Sequence, residues 1–223
     1  MRSQFTRCTL LYYLENWPPA ERSFGVAMDM TIGFRSVAAS LVALGAVLIG
    51  VTLWSWGQPV ICTCGYVQFW VGNVFSSGNS QHIADWYTLS HFVHGMLVVL
   101  GARLIAPRLD HRAVFAIALV TGVGWEILEH TNWVLDQFRA ETLYQGYHGD
   151  SVINAIADYL WMFAGYLLAK KITSISILLM ITALELTSAF IARDSLALTT
   201  LMLIHTVEPI EAWQQELNPN RQD

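Results

Sequence analysis

The chain has 223 residues, 54% hydrophobic and only 13% charged, with nine Trp and a net charge of −5. A soluble domain carries about 25% charged residues, so this composition excludes an ordinary water-soluble fold and makes the lipid bilayer the first partner. The acidic balance and the lack of any basic patch exclude nucleic acid as an expected partner, and three Cys are too few for a disulfide scaffold.

Residues 1–34 are mixed and polar, with Pro18-Pro19 breaking any helix, and read as a flexible cytoplasmic tail or as upstream of a true start at Met28 or Met30. The apolar run Leu10–Leu14 is too short for the core of a signal peptide. Residues 35–215 read as one transmembrane helical domain and 216–223 as a polar tail. Ser36–Trp56 is a first span, about 20 residues without a charge, with Trp54 and Trp56 at its interfacial exit. Gly57–Thr88 is a long irregular connection containing Cys62-Thr63-Cys64 and the aromatic stretch Tyr66–Phe75, which is too short to cross. The two Cys are open to three readings: a disulfide, a pair of soft-metal ligands, or two unrelated thiols.

Leu89–Ala106 is a second span, with His91 and His94 near its start. The third, Ala113–Leu135, carries Glu126, Glu129 and His130 at i, i+3 and i+4, on one helix face. Asp136–Gly149 is polar and aromatic, and Tyr144–Tyr147 reads as an interfacial anchor or a lid. Asp150 or Ser151 caps a fourth span, Val152–Ala169, which holds Asn154 and Asp158. Thr173–Ala192 is a fifth, with Glu185. Leu196–Val207 is a short sixth, so the expectation is an all-α polytopic bundle of about six spans, with five as the alternative.

Lys and Arg set orientation. Ten of the twelve alternate onto one set of segments, leaving only Arg139 and Arg193 on the other. The chain therefore reads as a multi-pass protein of the bacterial inner membrane with both termini cytoplasmic. On that frame the ionisable residues of spans two, three, four and five gather in one layer, roughly 5–12 Å below the outer surface. A charge at mid-bilayer costs about 2.5–3.5 kcal/mol on insertion scales, so such groups need partners.

Imidazoles and carboxylates on facing helices are how bundles hold zinc, iron or manganese. The candidate ligands are His91, His94, Glu126, Glu129, His130 and Asp158, with Asp150, Asn154, His148 and Glu185 as supporting groups. Glu126 or Glu129 is the candidate general base. The leading expectation is a metal-dependent enzyme acting on an envelope lipid or lipid-linked substrate. Its rivals are a polar cluster that locks helices together in a non-catalytic assembly factor, and a proton or solute path. No zinc-protease signature is present.

Several motifs stand out together: Ile61-Cys62-Thr63-Cys64-Gly65, Ser80-Gln81-His82, Asp85-Trp86-Tyr87-Thr88, Ser90-His91, His94-Gly95, Trp125–Glu129 and Tyr144–Ser151. In these the chain resembles uncharacterised protein family 0314, also called domain of unknown function 2585, over about Arg35–Ala169. The resemblance implies a multi-pass plasma-membrane protein of alphaproteobacteria. It implies no activity.

Overall fold

The computed structural model describes residues 28–141 and 147–218. Most of the expected N-terminal tail, Tyr144–Gly146 of the expected lid, and Arg221 lie outside the described residues. Among the described residues are eight helices and no strand. They are α1 (Met28–Ser55), α2 (Tyr87–Ile105), α3 (His111–Glu129), α4 (Asn132–Glu141), α5 (Val152–Ala169), α6 (Ser174–Ala192), α7 (Leu196–Ile204) and α8 (Glu208–Gln215). Five of them, α1, α2, α3, α5 and α6, are long and apolar enough to cross a membrane.

The sixth expected span is not one. Helix α7 has nine residues, about 14 Å of rise, against a hydrocarbon core of about 30 Å. The chain turns at His205 and continues as the short polar α8. This alters the expected topology. The Phe34 ring packs edge-on against His111 at the start of α3, so the beginning of α1 lies at the α3 N-terminal end. The Gln214 amide reaches Asp194 Oδ1 at 3.4 Å, beyond the far end of α6. The two ends of the described chain therefore lie at opposite ends of the bundle, not on one shared side.

The third span is also shorter than expected. Helix α3 stops at Glu129 because side chains take its last carbonyls: His130 Nδ1 donates to Glu126 O at 2.7 Å and Thr131 Oγ1 to Leu128 O at 2.7 Å. The apolar residues to Leu135 belong to the separate helix α4.

Helix α5 is the axis of the bundle: 56% of its spanning window is buried, against 17% for α1 and for α6. Tyr159, Met162 and Tyr166 of α5 pack with Met96 and Val99 of α2, Phe115 and Ala118 of α3, and Ile49 and Leu53 of α1. Two glycines let α2 and α5 approach backbone to backbone. A Cβ on Gly95 would collide with the Met162 carbonyl oxygen, and one on Gly165 with the Phe92 carbonyl oxygen. Close contact through small residues is how helices associate where lipid removes the hydrophobic drive. Leu44, Val51, Leu179 and Phe190, by contrast, face outward and are more than half exposed, as lipid-facing residues would be.

The 57–86 connection has no helix and closes over the α5 N-terminus. Ser151 Oγ accepts from Asn154 N at 3.3 Å, and the Val152 and Ile153 amides donate to Pro59 O and Val60 O at 2.9 and 3.1 Å. The otherwise orphaned first-turn donors of α5 are thus satisfied by the loop. This fixes the loop, and the side chains it carries, over one end of the bundle.

Candidate functional site

At that end α2, α3, α4, α5 and α7 enclose a cavity of about 240 Å³. Its polar wall is built from His91, Glu129, Tyr147, Asp150, Asp158 and Asp194. The α3 turn supplies Glu126 and Glu129, one helix turn apart. The chain then leaves the helix at His130, passes through α4, and returns at Tyr147–Asp150. His130 makes that return: its Nδ1 donates to Glu126 O at 2.7 Å and its Nε2 accepts the Asp150 amide at 2.9 Å. Both ring nitrogens are committed to backbone, so His130 positions the site and has no lone pair left for an ion.

Oxygens of Glu126, Glu129 and Asp150 lie within 4.8 Å of one another, and all three residues are buried. The Tyr147 phenol bridges two of them, 2.6 Å from Asp150 Oδ1 and 3.2 Å from Glu129 Oε1. Burial, with Asp150 and Glu129 beside it, pushes the Tyr147 phenol well above its ordinary pKa, so it remains a donor. Glu126 Oε2 and Glu129 Oε2 are buried with no hydrogen-bond partner. A buried polar atom without a partner costs about 1–3 kcal/mol, more if charged, and repulsion among three clustered carboxylates adds to that. This donor set fits a divalent cation.

Next to this trio His91 lies between two acids, with Nδ1 3.3 Å from Glu126 Oε1 and Nε2 3.9 Å from Asp158 Oδ2. Thr88 Oγ1 donates to Asp158 Oδ1 at 3.0 Å and accepts the Asp85 amide at 3.0 Å. The Asp85 carboxylate in turn accepts Ser80 N at 2.7 Å and Tyr87 N at 2.8 Å. Burial pushes the Asp85 carboxyl up, opposed by the Ser80 amide. Ser80 sits in the left-handed region at φ 59°, uncommon for a residue with a side chain. It is held there by Asp85 on one side and by its carbonyl bond from Ser151 N, 3.1 Å, on the other.

The other expected residues are placed as follows. His94 lines the cavity one turn below His91. Asn154 donates to His82 O at 2.7 Å, tying the loop rather than meeting the carboxylates. His148 points to the exposed surface. Glu185 caps α7, its Oε2 accepting Ala197 N at 2.9 Å, and does not line the cavity.

Asp194, absent from the sequence reading, is buried in the cavity wall and accepts from Tyr87 Oη, Ser195 N and Thr199 Oγ1 at 3.1, 2.9 and 2.9 Å. Burial raises its carboxyl to about 6 against the pull of these donors. The available signal was a carboxylate just past a span end, beside the Ser195 helix cap.

The cavity wall is mixed. Beside the carboxylates it is lined by the apolar side chains Trp125, Leu97, Phe138 and Leu196. Leu97 lies ten residues into α2, about 15 Å from its start, and is 42% exposed on the flank of the bundle. Leu97 thus extends the apolar part of the wall about three turns into α2.

A family model described as "Protein of unknown function (DUF2585)" matches residues 53–216. Among curated relatives, a UPF0314 protein of Paracoccus denitrificans is 38% identical over 188 residues, covering 83% of this chain and 97% of the relative. One of Sphingopyxis alaskensis is 42% identical over 179 residues, covering 80% and 93%. One of Rhizobium johnstonii is 41% identical over 158 residues, covering 71% and 81%. No solved structure matches the chain. The chain, an all-helical protein with five helices long and apolar enough to cross a membrane, therefore belongs to the UPF0314 family and matches the DUF2585 model.

Proposed function

We propose that the cavity is the active site of a metal-dependent membrane enzyme that acts on a lipid or lipid-linked substrate. The observation that carries this reading is the pairing of acids with an apolar wall. Of three clustered, buried carboxylates with two unpartnered oxygens, Glu129 and Asp150 line a cavity whose wall also holds Leu97, Trp125, Phe138 and Leu196. That shape fits a polar head beside the acids and an acyl or isoprenoid chain along Leu97 and Trp125.

Glu126, Glu129 and Asp150 would hold the ion. An all-oxygen set favours manganese among zinc, iron and manganese. A bound divalent ion supplies a Lewis acid for an ester or phosphoryl oxygen and lowers the pKa of a bound water. Glu126 or Glu129 is in reach as general base, and His91, between Glu126 and Asp158, is placed to hold a proton. His94 is a wall of the substrate site in this reading, and His130 a positioning residue.

The orientation supported by charge puts this end outside the bacterial inner membrane. Of eight Lys and Arg in the described residues, six (Arg35, Arg103, Arg108, Arg112, Lys170 and Lys171) lie at the opposite end. The N-terminal end is then cytoplasmic and Asn218 extracytoplasmic.

Metal analysis of the protein purified in detergent tests the reading. We expect about one manganese or similar divalent ion per chain, lost in Glu129→Gln and Asp150→Asn variants that keep wild-type helicity. Metal well below one per chain after reloading, or retained in both variants, would favour the rival in which the His91 and Tyr147 hydrogen bonds make a closed, cation-free polar cluster. Lipid profiling of a deletion strain then identifies the substrate class.

A further inference from the structure

Outside the cavity, Cys62 and Cys64 are bonded to each other in the 57–86 connection, and His82 stands beside them. Three side chains of these types could also hold a soft metal in the reduced state. The hydrogen bonds of His82 decide between the two uses. The backbone amide of Gln68, which can only donate, points at His82 Nδ1 at 3.3 Å. Nδ1 therefore carries the lone pair, and in the neutral ring Nε2 carries the proton. Burial pulls the His82 pKa down, which keeps the ring neutral. Nε2 lies 4.0 Å from Cys64 Sγ, so it presents an N–H to the sulfur rather than a lone pair to an ion. The Tyr66 ring, stacked on His82 at 5.4 Å, fixes that orientation. The other sulfur has a donor too, since Cys64 N is 3.2 Å from Cys62 Sγ. Cys62 is buried and Cys64 exposed.

We propose that Cys62 and Cys64 form an exchangeable disulfide that trades electrons with a dithiol protein on the same side of the membrane, with His82 holding the Cys64 thiolate. A partner thiolate attacks the exposed Cys64 sulfur, and the bond between the two Cys breaks. Its electron pair leaves on Cys62 as a thiolate, which accepts the Cys64 N–H already directed at it. The partner's second thiolate then attacks the partner's own sulfur in the mixed disulfide. Cys64 departs as a thiolate accepting the His82 Nε2–H. The chain gains two electrons and ends as two thiolates, the protons of the partner's thiols pass to solvent, and the partner dithiol becomes a disulfide. The reverse sequence restores the bond. Thiolates stabilised by nearby N–H donors are the mark of reactive rather than inert cysteines. This site does not depend on the metal reading, because none of its three residues lines the cavity.

The test uses the full chain carrying Cys8→Ser, purified in detergent and equilibrated across ratios of reduced to oxidised glutathione. Thiols are trapped with a maleimide that adds mass, and the bound metal is measured on the same samples. We expect the two thiols to appear and vanish together within the accessible glutathione range, with no metal bound. His82→Phe, which retains a ring against Tyr66, should shift the equilibrium about tenfold toward the disulfide, about 30 mV for a two-electron couple. His82→Gln, which keeps an N–H donor, should recover most of that shift.

A pair that stays fully oxidised or fully reduced at every ratio overturns the proposal. So does stoichiometric zinc or copper on the reduced form, or a His82→Phe titration identical to wild type. If His82→Phe does not fold, the wild-type titration and metal measurement alone decide.

Discussion

Asp194 is a buried carboxylate whose charge the fold tolerates poorly, and that gives a pH dependence with a definite sign. Its carboxyl rises from an ordinary 3.8 to about 6 because burial outweighs the donors around it, with the Glu185 carboxylate adding to the rise. The native state therefore binds a proton more tightly than the unfolded chain. Stability from this group is present at low pH and is lost as pH rises from about 4 through about 6. A shift of about two units at ~1.4 kcal/mol each amounts to roughly 3 kcal/mol.

Asp194→Asn mimics the protonated form. Its amide oxygen can accept from Ser195 N and Thr199 Oγ1, while its NH2 faces the Tyr87 hydroxyl, which can turn to accept. The assay is unfolding of the detergent-solubilised protein between pH 4 and pH 8, wild type against variant. The difference between the two removes groups that titrate in both, Asp85 among them. The variant should match wild type near pH 4 and gain on it by up to about 3 kcal/mol at pH 7. Parallel pH profiles, or a variant that loses ground as pH rises, would refute the reasoning.

Other substitutions test the rest of the account. Gly95→Leu should destabilise the bundle by about 3 kcal/mol or more in thermal unfolding, because its side chain meets backbone of α5 that cannot move aside. An effect as small as that of Gly101→Leu, where a Cβ meets nothing, would contradict the close α2–α5 contact. His130→Ala should cost about 2 kcal/mol by orphaning Glu126 O and the Asp150 amide. Part of its metal affinity should return at high manganese concentration, unlike Asp150→Asn, since His130 positions the site without ligating. In a chain freed of native Cys, a single Cys at exposed Ser77 should react with an impermeant thiol reagent from outside intact cells, while one at exposed Arg108 should react only after lysis. The opposite labelling would reverse the proposed orientation.

Much of this arrangement was legible in the sequence because lipid makes polarity informative. Long apolar runs marked the five helices long and apolar enough to cross a membrane, and added a sixth, Leu196–Val207, whose helix is too short. Glu126, Glu129, His91 and Asp158 were found because ionisable groups in apolar helices stand out, and the helix rise brings them to one depth. What rise and periodicity do not carry is who bonds to whom. His130 looked like a ligand because its spacing from Glu126 is right. Only the returning Tyr147–Asp150 segment shows that its ring is bound to backbone. Tyr147 reads in the sequence as an interfacial anchor or part of a lid, and neither reading places its phenol as the bridge between Glu129 and Asp150. Asp194 was hidden by treating the apolar Leu196–Val207 run as a sixth crossing, which carried the chain away from the site instead of back over it. The end of α3 was overrun because the apolar pattern continues into α4, while the stop lies in side-chain bonds of His130 and Thr131.

In the proposed function Glu126, Glu129 and Asp150 converge on one cation-holding point beside the cavity. Crystals of the protein soaked in manganese, with diffraction recorded for anomalous scattering, test it most directly. A single strong peak between those three carboxylates is expected, gone in crystals of Asp150→Asn. A map with no peak there, or one showing the three side chains directed to separate surroundings, would contradict it.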